Sequence, residues 1–402
     1  MIDWKKVKLG DYIDVFSGFA FKSKDFSDSG IPVIKIKNVC PPYISLEDLS
    51  YVPNSIAFQN PRYILRKGDV LIAMTGSHIN QIASVVGRVG RVRYDAITVL
   101  NQRVGKIVNK NEAKSSLDYI YYYLSQYEVK VELAQKAGGA ANQANISPSD
   151  IKNLLFPYPP IEIQHRIATI LSRYDSLIEN YQKQIKLLEE AAQRLYKKWF
   201  VDLHFPGHET TKIVDGMPEG WEKKRLIDLV DVQYGYAFDG KLFNSSGEGM
   251  PILRIRNIPD GITSDYTTEE AQDCYIVHNG DIVVGMDGIF HINSWSGGDA
   301  YLVQRACSFK PKEECMKGFI FQAIQEPIKF FEKTLVGATV AHLGKKHIDS
   351  IELCIPKNFE LYKPFSKFYN QRQGVLSQIR LLTEARDRLI PKLISGLVVV
   401  NS

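Results

Sequence analysis

The chain has 402 residues, 45% of them hydrophobic and 24% charged, with a formal net charge of +5; it is long enough for two or three cores, and its composition is globular rather than disordered or fibrous. No run approaches the roughly 18 uninterrupted apolar residues of a membrane span, and the opening MIDWKKVKLGDY has no apolar stretch behind its basic residues, so neither a membrane anchor nor a secretory leader is expected. The five cysteines (Cys40, Cys274, Cys307, Cys315, Cys354) are scattered without a CxxC pair, which fits reduced thiols in a cytoplasmic protein.

Along the chain, residues 1–159 carry short β-branched and aromatic runs such as PVIKIKNV and DVLIAM, bounded by Gly, Pro, Asn and Asp. These predict a small, mostly β domain, with a helical stretch over 116–133. Residues 160–200 follow as a helix. Ile167, Leu171, Tyr174, Ile178, Tyr181, Ile185, Leu188, Ala192, Leu195 and Trp199 alternate in steps of four and three, a heptad seam with polar residues between. Residues 201–220 contain Pro and Gly without periodicity and read as a linker. A second β-rich domain spans 221–357, with a helical stretch over 316–333. A second helix over 358–394 carries Val375, Ile379, Leu382, Leu389 and Leu393, interrupted by Arg372 and Arg386, and residues 395–402 form a tail. Pro160 and Pro364 sit near the helix starts, where proline is tolerated, and Pro391 is expected to end or kink the second helix. Two such stripes most simply bury each other, in rods of roughly 45–60 Å at about 1.5 Å per residue.

The second half repeats the first. WKKVKLGDYIDVFSGFAF (4–21) answers WEKKRLIDLVDVQYGYAF (221–238), and IPVIKIKNV (31–39) answers MPILRIRNI (250–258). KGDVLIAMTG (67–76) answers NGDIVVGMDG (279–288), and GAANQANISPSDIKNLLFPYP (139–159) matches GATVAHLGKKHIDSIELCIP (337–356) in outline. QIKLLEEAAQRL (184–195) answers QIRLLTEARDRL (378–389). Five blocks in one order make the chain one unit used twice. The charge is not shared equally between the copies. Residues 1–160 hold 20 Lys and Arg against 14 Asp and Glu, a balance of +6, whereas 221–356 hold 14 against 19, a balance of −5. Nucleic-acid binding calls for basic surface in both halves, so the second requires a local basic patch or a partner that grips the phosphates.

Enzymatic motifs are weak. DVFSGF (14–19) and CPPY (40–43) resemble the glycine loop and the adenine-flipping tetrapeptide of DNA methyltransferases. The loop, however, has Phe19 and Ala20 after its single Gly18, and Cys40 is a poor substitute for the Asp, Asn or Ser that would bond the adenine amino group. The second copy has DVQYGY and no PPY. His204 and His208 near Glu209 lie on a loop interrupted by Pro206 and Gly207, so a zinc site is not expected. No nuclease PD-(D/E)xK signature, P-loop or HExxH is present. The pairs Glu189/Glu190 and Glu269/Glu270 read as solvated faces.

The repeated order W-x-x-x-x-L…G-[FY]-A-F, then P-[VI]…[KR]-N, then [KN]-G-D-[VI], closing on a proline-bounded helix with a LLEEA-type seam, resembles the specificity subunits of type I restriction-modification systems. The resemblance covers essentially the whole chain, including YPPIEIQHRIATIL (158–171) and LYKKWFVDLHFPG (195–207). It implies an α+β fold: two similar, mostly-β target-recognition domains separated by two long helices that form an antiparallel coiled coil. It further implies a split double-stranded DNA target with one domain per half-site, the helices as the ruler for the gap, and two methyltransferase (M) and two motor-nuclease (R) subunits as partners. No cofactor, metal or catalytic residue is implied. The copies differ most in their loops, which fits an asymmetric target.

Candidate DNA-reading residues are polar side chains on loops leaving the strands. In the first domain these are Lys35, Lys37, Asn38, Thr75, Ser77, His78, Asn80, Gln81, Gln102, Arg103, Asn142 and Gln143. TGSHINQ (75–81) stands out because it follows a strand and offers groups able to bond base edges bidentately. Its counterpart DGIFHINSW (287–295) supplies His291, Asn293 and Trp295, and Arg254, Arg256, Gln304, Arg305, His342, Lys345 and Lys346 add phosphate or base contacts. Lys35-x-Lys37 and Arg254-x-Arg256 also fit a supporting role, and Phe21 and Phe238 fit the core better than base stacking. Two other classes stay open: a coiled-coil interaction scaffold that binds no DNA, and a stand-alone methyltransferase.

Overall fold

A computed structural model describes residues 4–59, 61–76, 85–138, 144–335 and 341–400. The chain divides into two compact units, one joining Met1–Ser176 to Leu382–Ser402 and the other spanning Leu177–Leu381. Each long helix thus lends one portion to each unit.

In the first unit, β1 (Ile13–Ser17), β2 (Ile31–Ile34), β3 (Val70–Ala73), β4 (Val89–Arg91), β5 (Thr98–Leu100) and β6 (Val104–Asn109) make the frame. One sheet runs β1-β6-β3-β4 and continues through Tyr43–Ile44 and Val39–Cys40. The other runs Ser50–Val52, β2, β5, Ile64–Leu65, with β2 and β5 parallel. All four residues of β3, VLIA, are buried, as expected of an apolar run covered on both faces. The helical stretch over 116–133 forms two helices, α1 (Leu117–Leu124) and α2 (Tyr127–Lys136). Between them, Ser125 and Gln126 turn their side chains onto the carbonyls of Tyr121 and Tyr123, competing with the next helical turn. The buried tyrosines of α1 each place the hydroxyl on an acceptor: Tyr119 on Pro157 O, Tyr121 on Pro42 O, Tyr122 on Asp175 Oδ2 and Tyr123 on Leu155 O. From here the chain enters α3 (Ile161–Tyr196).

In the second unit, β7 (Val230–Tyr234), β8 (Met250–Leu253), β9 (Ile282–Gly285), β10 (Ile292–Ser294), β11 (Ala300–Leu302) and β12 (Ala306–Pro311) rebuild that frame in the order β7-β12-β9-β10, with β8 and β11 again parallel. The stretch over 316–333 is likewise split, into α4 (Lys317–Ala323) and α5 (Gln325–Thr334). Pro327, with no N–H to give the preceding turn, sets that break. The last helix is α6 (Lys363–Ile394).

The repeated motifs are structural. A Cβ on Gly18 would lie 2.4 Å from the Leu100 carbonyl oxygen, and one on Gly235 would lie 2.1 Å from that of Val303. The glycine of the G-[FY]-A-F block is therefore the residue that lets one strand cross close over another, not a cofactor loop. In the [KN]-G-D turns, Asp69 accepts from Arg66 N and Asp281 from His278 N, while Gly68 and Gly280 take φ of 95° and 84°. In the [KR]-N blocks, Asn38 and Asn257 cap short 3-10 turns by accepting from Lys35 N and Arg254 N.

Burial along the long helices divides the seam residues into two groups. Ile167, Leu171, Ile178 and Leu393 are buried, and Tyr174, Tyr181, Ile185, Leu188, Leu195, Trp199, Val375, Ile379, Leu382 and Leu389 are half-buried. Within the second unit the helices meet antiparallel: stepping forward from Glu189 to Tyr196 steps back from Arg372 to Phe365. Three expectations need correction. Arg372 and Arg386 do not interrupt the second stripe; they are 7% and 9% exposed and lie on its buried face. Pro391, expected to end or kink α6, does not end it at once: one further turn follows to Ile394, where the helix stops, so little is lost with the missing N–H. Residues 201–220 are more than a solvated linker. Lys197–Val201 form a π-type turn, Phe205 is buried with its ring 4.9 Å from Trp221, and Ile213–Val214 pairs with Met217–Pro218.

Candidate nucleic-acid interface

The strand ends bring some of the sequence candidates together in one place per unit. In the first, Thr75–Gly76 pairs with Ala144–Asn145, Thr75 Oγ1 donating to Asn145 Oδ1 at 2.8 Å. Arg103 joins them because its carbonyl accepts from Met74 N, the residue before Thr75. Gln102 and Arg103 are exposed. Ser77, His78, Asn80, Gln81, Asn142 and Gln143 lie outside the described residues, on the two stretches of chain that this strand pair bounds.

The second unit builds the same corner from different side chains. Asp287 bridges to His342, as Thr75 pairs with Asn145, and Met286 N donates to the Arg305 carbonyl, as Met74 does to Arg103. The Gln-Arg pair 102–103 thus has its structural counterpart at Gln304 and Arg305. Here a carboxylate occupies the centre: Asp287 Oδ1 is 2.6 Å from His342 Nδ1, and Oδ2 accepts from Arg305 Nη1. Burial opposes ionisation of Asp287, but hydrogen bonds and charge from His342 and Arg305 outweigh it and hold the carboxyl below its ordinary value. Lys345 and Lys346, both exposed, follow His342 at the start of the helix Lys345–Asp349. His291 is half-buried nearby in sequence, its carbonyl accepting from Gly285 N. Exposed Arg305, Lys345 and Lys346 thus lie at or close in sequence to this corner, in a domain whose overall balance is acidic.

Other candidates are occupied elsewhere. Trp295 is fully buried and donates to Gly298 O, so it is a core residue and not a base reader. Asn38, 2% exposed, gives its amide to Glu47 O besides capping its turn. Asn293 spends its amide nitrogen on the carbonyls of Ile258 and Pro259 and its oxygen on Arg372 Nη2 and Ser294 N. Arg256 holds Asp265 through two nitrogens, at 2.6 and 3.1 Å. Lys35 bonds Ser50 and lies over Phe26, burial pulling its pKa down, and exposed Lys37 pairs with Asp48. Arg254 lies 5.2 Å from the Phe243 ring centroid. Each of these residues answers a local carbonyl, hydroxyl, carboxylate or ring; Trp295 and Asn38 are buried, whereas Lys37 and Arg256 remain exposed.

Two buried charge clusters were not anticipated. In the first unit Asp175, 1% exposed, accepts from Tyr122, Arg93 and Arg386. In the second, Arg372 donates to Glu189, Ser294 and Asn293. Their signal was present in the sequence as arginines at seam positions. The His204 and His208 rings lie 5.1 Å apart, and His208 Nδ1 sits 2.9 Å from Phe205 O. No helix among the described residues is long and apolar enough to cross a membrane.

Two copies of one α+β frame, each ending in a corner of exposed polar and basic side chains, define a duplicated recognition protein. Residues 1–190 and 218–380 match the type I restriction modification DNA specificity domain. The chain therefore belongs to that family, and it is a type I restriction-modification specificity subunit built of DNA target-recognition domains. It is 26% identical to the MjaIX type I restriction enzyme specificity subunit of Methanocaldococcus jannaschii over 98% of this chain and 93% of that one. It is 27% identical to the MjaVIII specificity subunit of the same organism over 88% and 82%. Its fold is similar to that of a type I restriction-modification S subunit from M. genitalium, with a TM-score of 0.53 at 17% identity over 100% of this chain and 97% of that one.

Proposed function

We propose that this chain reads a split, asymmetric double-stranded DNA target, with residues 1–159 and 221–357 each taking one half-site. The helices over 160–200 and 358–394 set the gap, joined by residues 201–220 and followed by a short tail. The observation that carries this reading is the corner built twice on one backbone plan. Thr75, Asn145, Gln102 and Arg103 stand in one copy, and Asp287, His342, Gln304 and Arg305 in the other. The same plan with different side chains is what two readers of different sequences require. Helices of 36 and 32 residues are about 50 Å long, more than one turn of B-DNA at about 34 Å. The chain is non-catalytic and works in the cytoplasm with two methyltransferase and two motor-nuclease subunits. The acidic balance of residues 221–356 argues for weak DNA binding before those partners add their own phosphate contacts.

The test is to co-express the chain with its methyltransferase and map modified adenines across the genome. Modification confined to one split motif supports the reading and yields both half-sites and the gap. A complex that forms but methylates nowhere, or at scattered sites, overturns it in favour of an interaction scaffold.

A further inference from the structure

Arg305 is held twice over. Its backbone takes φ of 71°, a left-handed conformation uncommon for a residue with a Cβ, directly before β12. Its carbonyl is fixed by Met286 N at 2.8 Å. Its side chain is then fixed through Nη1 to Asp287, whose other oxygen binds His342 Nδ1. Asp287 is set back, its side chain only 14% exposed, while those of Arg305 and His342 are 68% and 59% exposed. The carboxylate grips each donor by one nitrogen, and both donor side chains stay largely exposed.

A phosphate, which carries no sequence information, can be met by a lysine point charge as well as by an arginine fork, so a fixed guanidinium plane is not required there. Bidentate readout does gain from it: the guanidinium must lie in the plane of the base to reach guanine N7 and O6 together, and pre-orientation lowers the entropy lost on binding. The first unit provides a comparison. Arg103 occupies the equivalent place, but the neighbouring pair is Thr75 and Asn145, with no carboxylate between them, and Arg103 is not among the positive-φ residues.

We propose that Arg305 is the guanine-reading residue of the second recognition domain, with Asp287 as its positioning residue. This rests on the reading that the domain contacts one half-site. Approach is from the major groove, where guanine alone offers two acceptors side by side on its edge.

The experiment uses the full chain in complex with its methyltransferase, acting on a plasmid library randomised over the mapped target, with methylation read by sequencing. Wild type should require guanine at one position of one half-site. Arg305→Ala should relax that position alone, by roughly tenfold or more in preference, with the other half-site unchanged as the internal control for folding. Arg305→Lys should keep overall methylation yet relax the same position, because charge remains and the planar fork does not; it also serves if the alanine variant fails to assemble. Asp287→Asn should weaken the same preference. If Arg305→Lys leaves every base preference intact, or if Arg305→Ala lowers methylation evenly at all sites, Arg305 is a phosphate contact and the proposal is overturned. A wild-type library with no split motif would instead remove the half-site reading beneath it.

Discussion

Arg386 Nη1 donates to Asp175 Oδ1 across 2.8 Å, with 11% and 1% of the two side chains exposed. The pair ties α6 to α3 within one unit. Tyr122 from α1 and Arg93 bond the carboxylate's other oxygen, at 2.7 and 3.3 Å. Burial disfavours the Arg386 charge, but Asp387 and Asp175 more than restore it and push the guanidinium pKa up.

A buried pair is costly to break and cheap to replace as a whole. Arg386→Ala or Asp175→Ala alone should destabilise the unit by up to about 3–5 kcal/mol, because each removes a main partner from a buried network, leaving Asp175 with Arg93 and Tyr122 or Arg386 with Asp387 alone. The combined Tyr122→Phe, Asp175→Leu, Arg386→Met variant should be near neutral or more stable, with Arg93, partly exposed, turning to solvent. Urea unfolding of the full chain checks both. A single variant with no effect would show that the pair is not excluded from water.

Trp295 belongs to the core of the second unit beside Leu253, Val277, Val283 and Leu302. Trp295→Ala should cost about 3–5 kcal/mol. The protein that remains folded should keep its base preferences unaltered. A change of target with stability intact would return Trp295 to the recognition surface.

Gly18→Ala and Gly235→Ala should behave alike despite lying far apart in sequence. Each would push a Cβ onto a backbone carbonyl that cannot move without the strand carrying it. A loss of roughly 1–3 kcal/mol is expected for each, seen as a lower melting temperature. A cofactor-loop role would instead leave the melting temperature untouched.

Asp287 gives a pH dependence of definite sign. Its carboxyl is held below the ordinary value of 3.8, so its contribution to stability is fully present above that value and is lost as pH falls through the lower folded-state pKa. Asp287→Asn should therefore be less stable than wild type at pH 7, and the two melting curves should converge as the pH drops below about 4. A gap that stays constant down to pH 2 would count against the ion pairs with Arg305 and His342.

Cys307 is fully buried, and burial pushes its thiol pKa up, whereas Cys40, Cys274 and Cys354 are exposed. In the native protein a thiol reagent should modify those three readily and spare Cys307 until denaturant is added. Early loss of Cys307 would mean that β12 opens locally.

The sequence by itself determined the duplication, the two heptad stripes and the β frame, because these depend on which residues are apolar and at what period. That information is local or repeats at a fixed offset. Pairings between distant residues were decided only by the tertiary structure. How a polar side chain is engaged depends on what the fold brings beside it, and this separates Arg305, held by Asp287 through one nitrogen, from Arg256, held by Asp265 through two. It also separates Trp295 and Asn293 from the loop residues they resembled in type. The same reason explains the arginines of α6. Along the helix they looked like gaps in an apolar stripe, and it is partners the fold brings beside them, Asp175 for Arg386 and Glu189, Ser294 and Asn293 for Arg372, that help make burial of that charge tolerable.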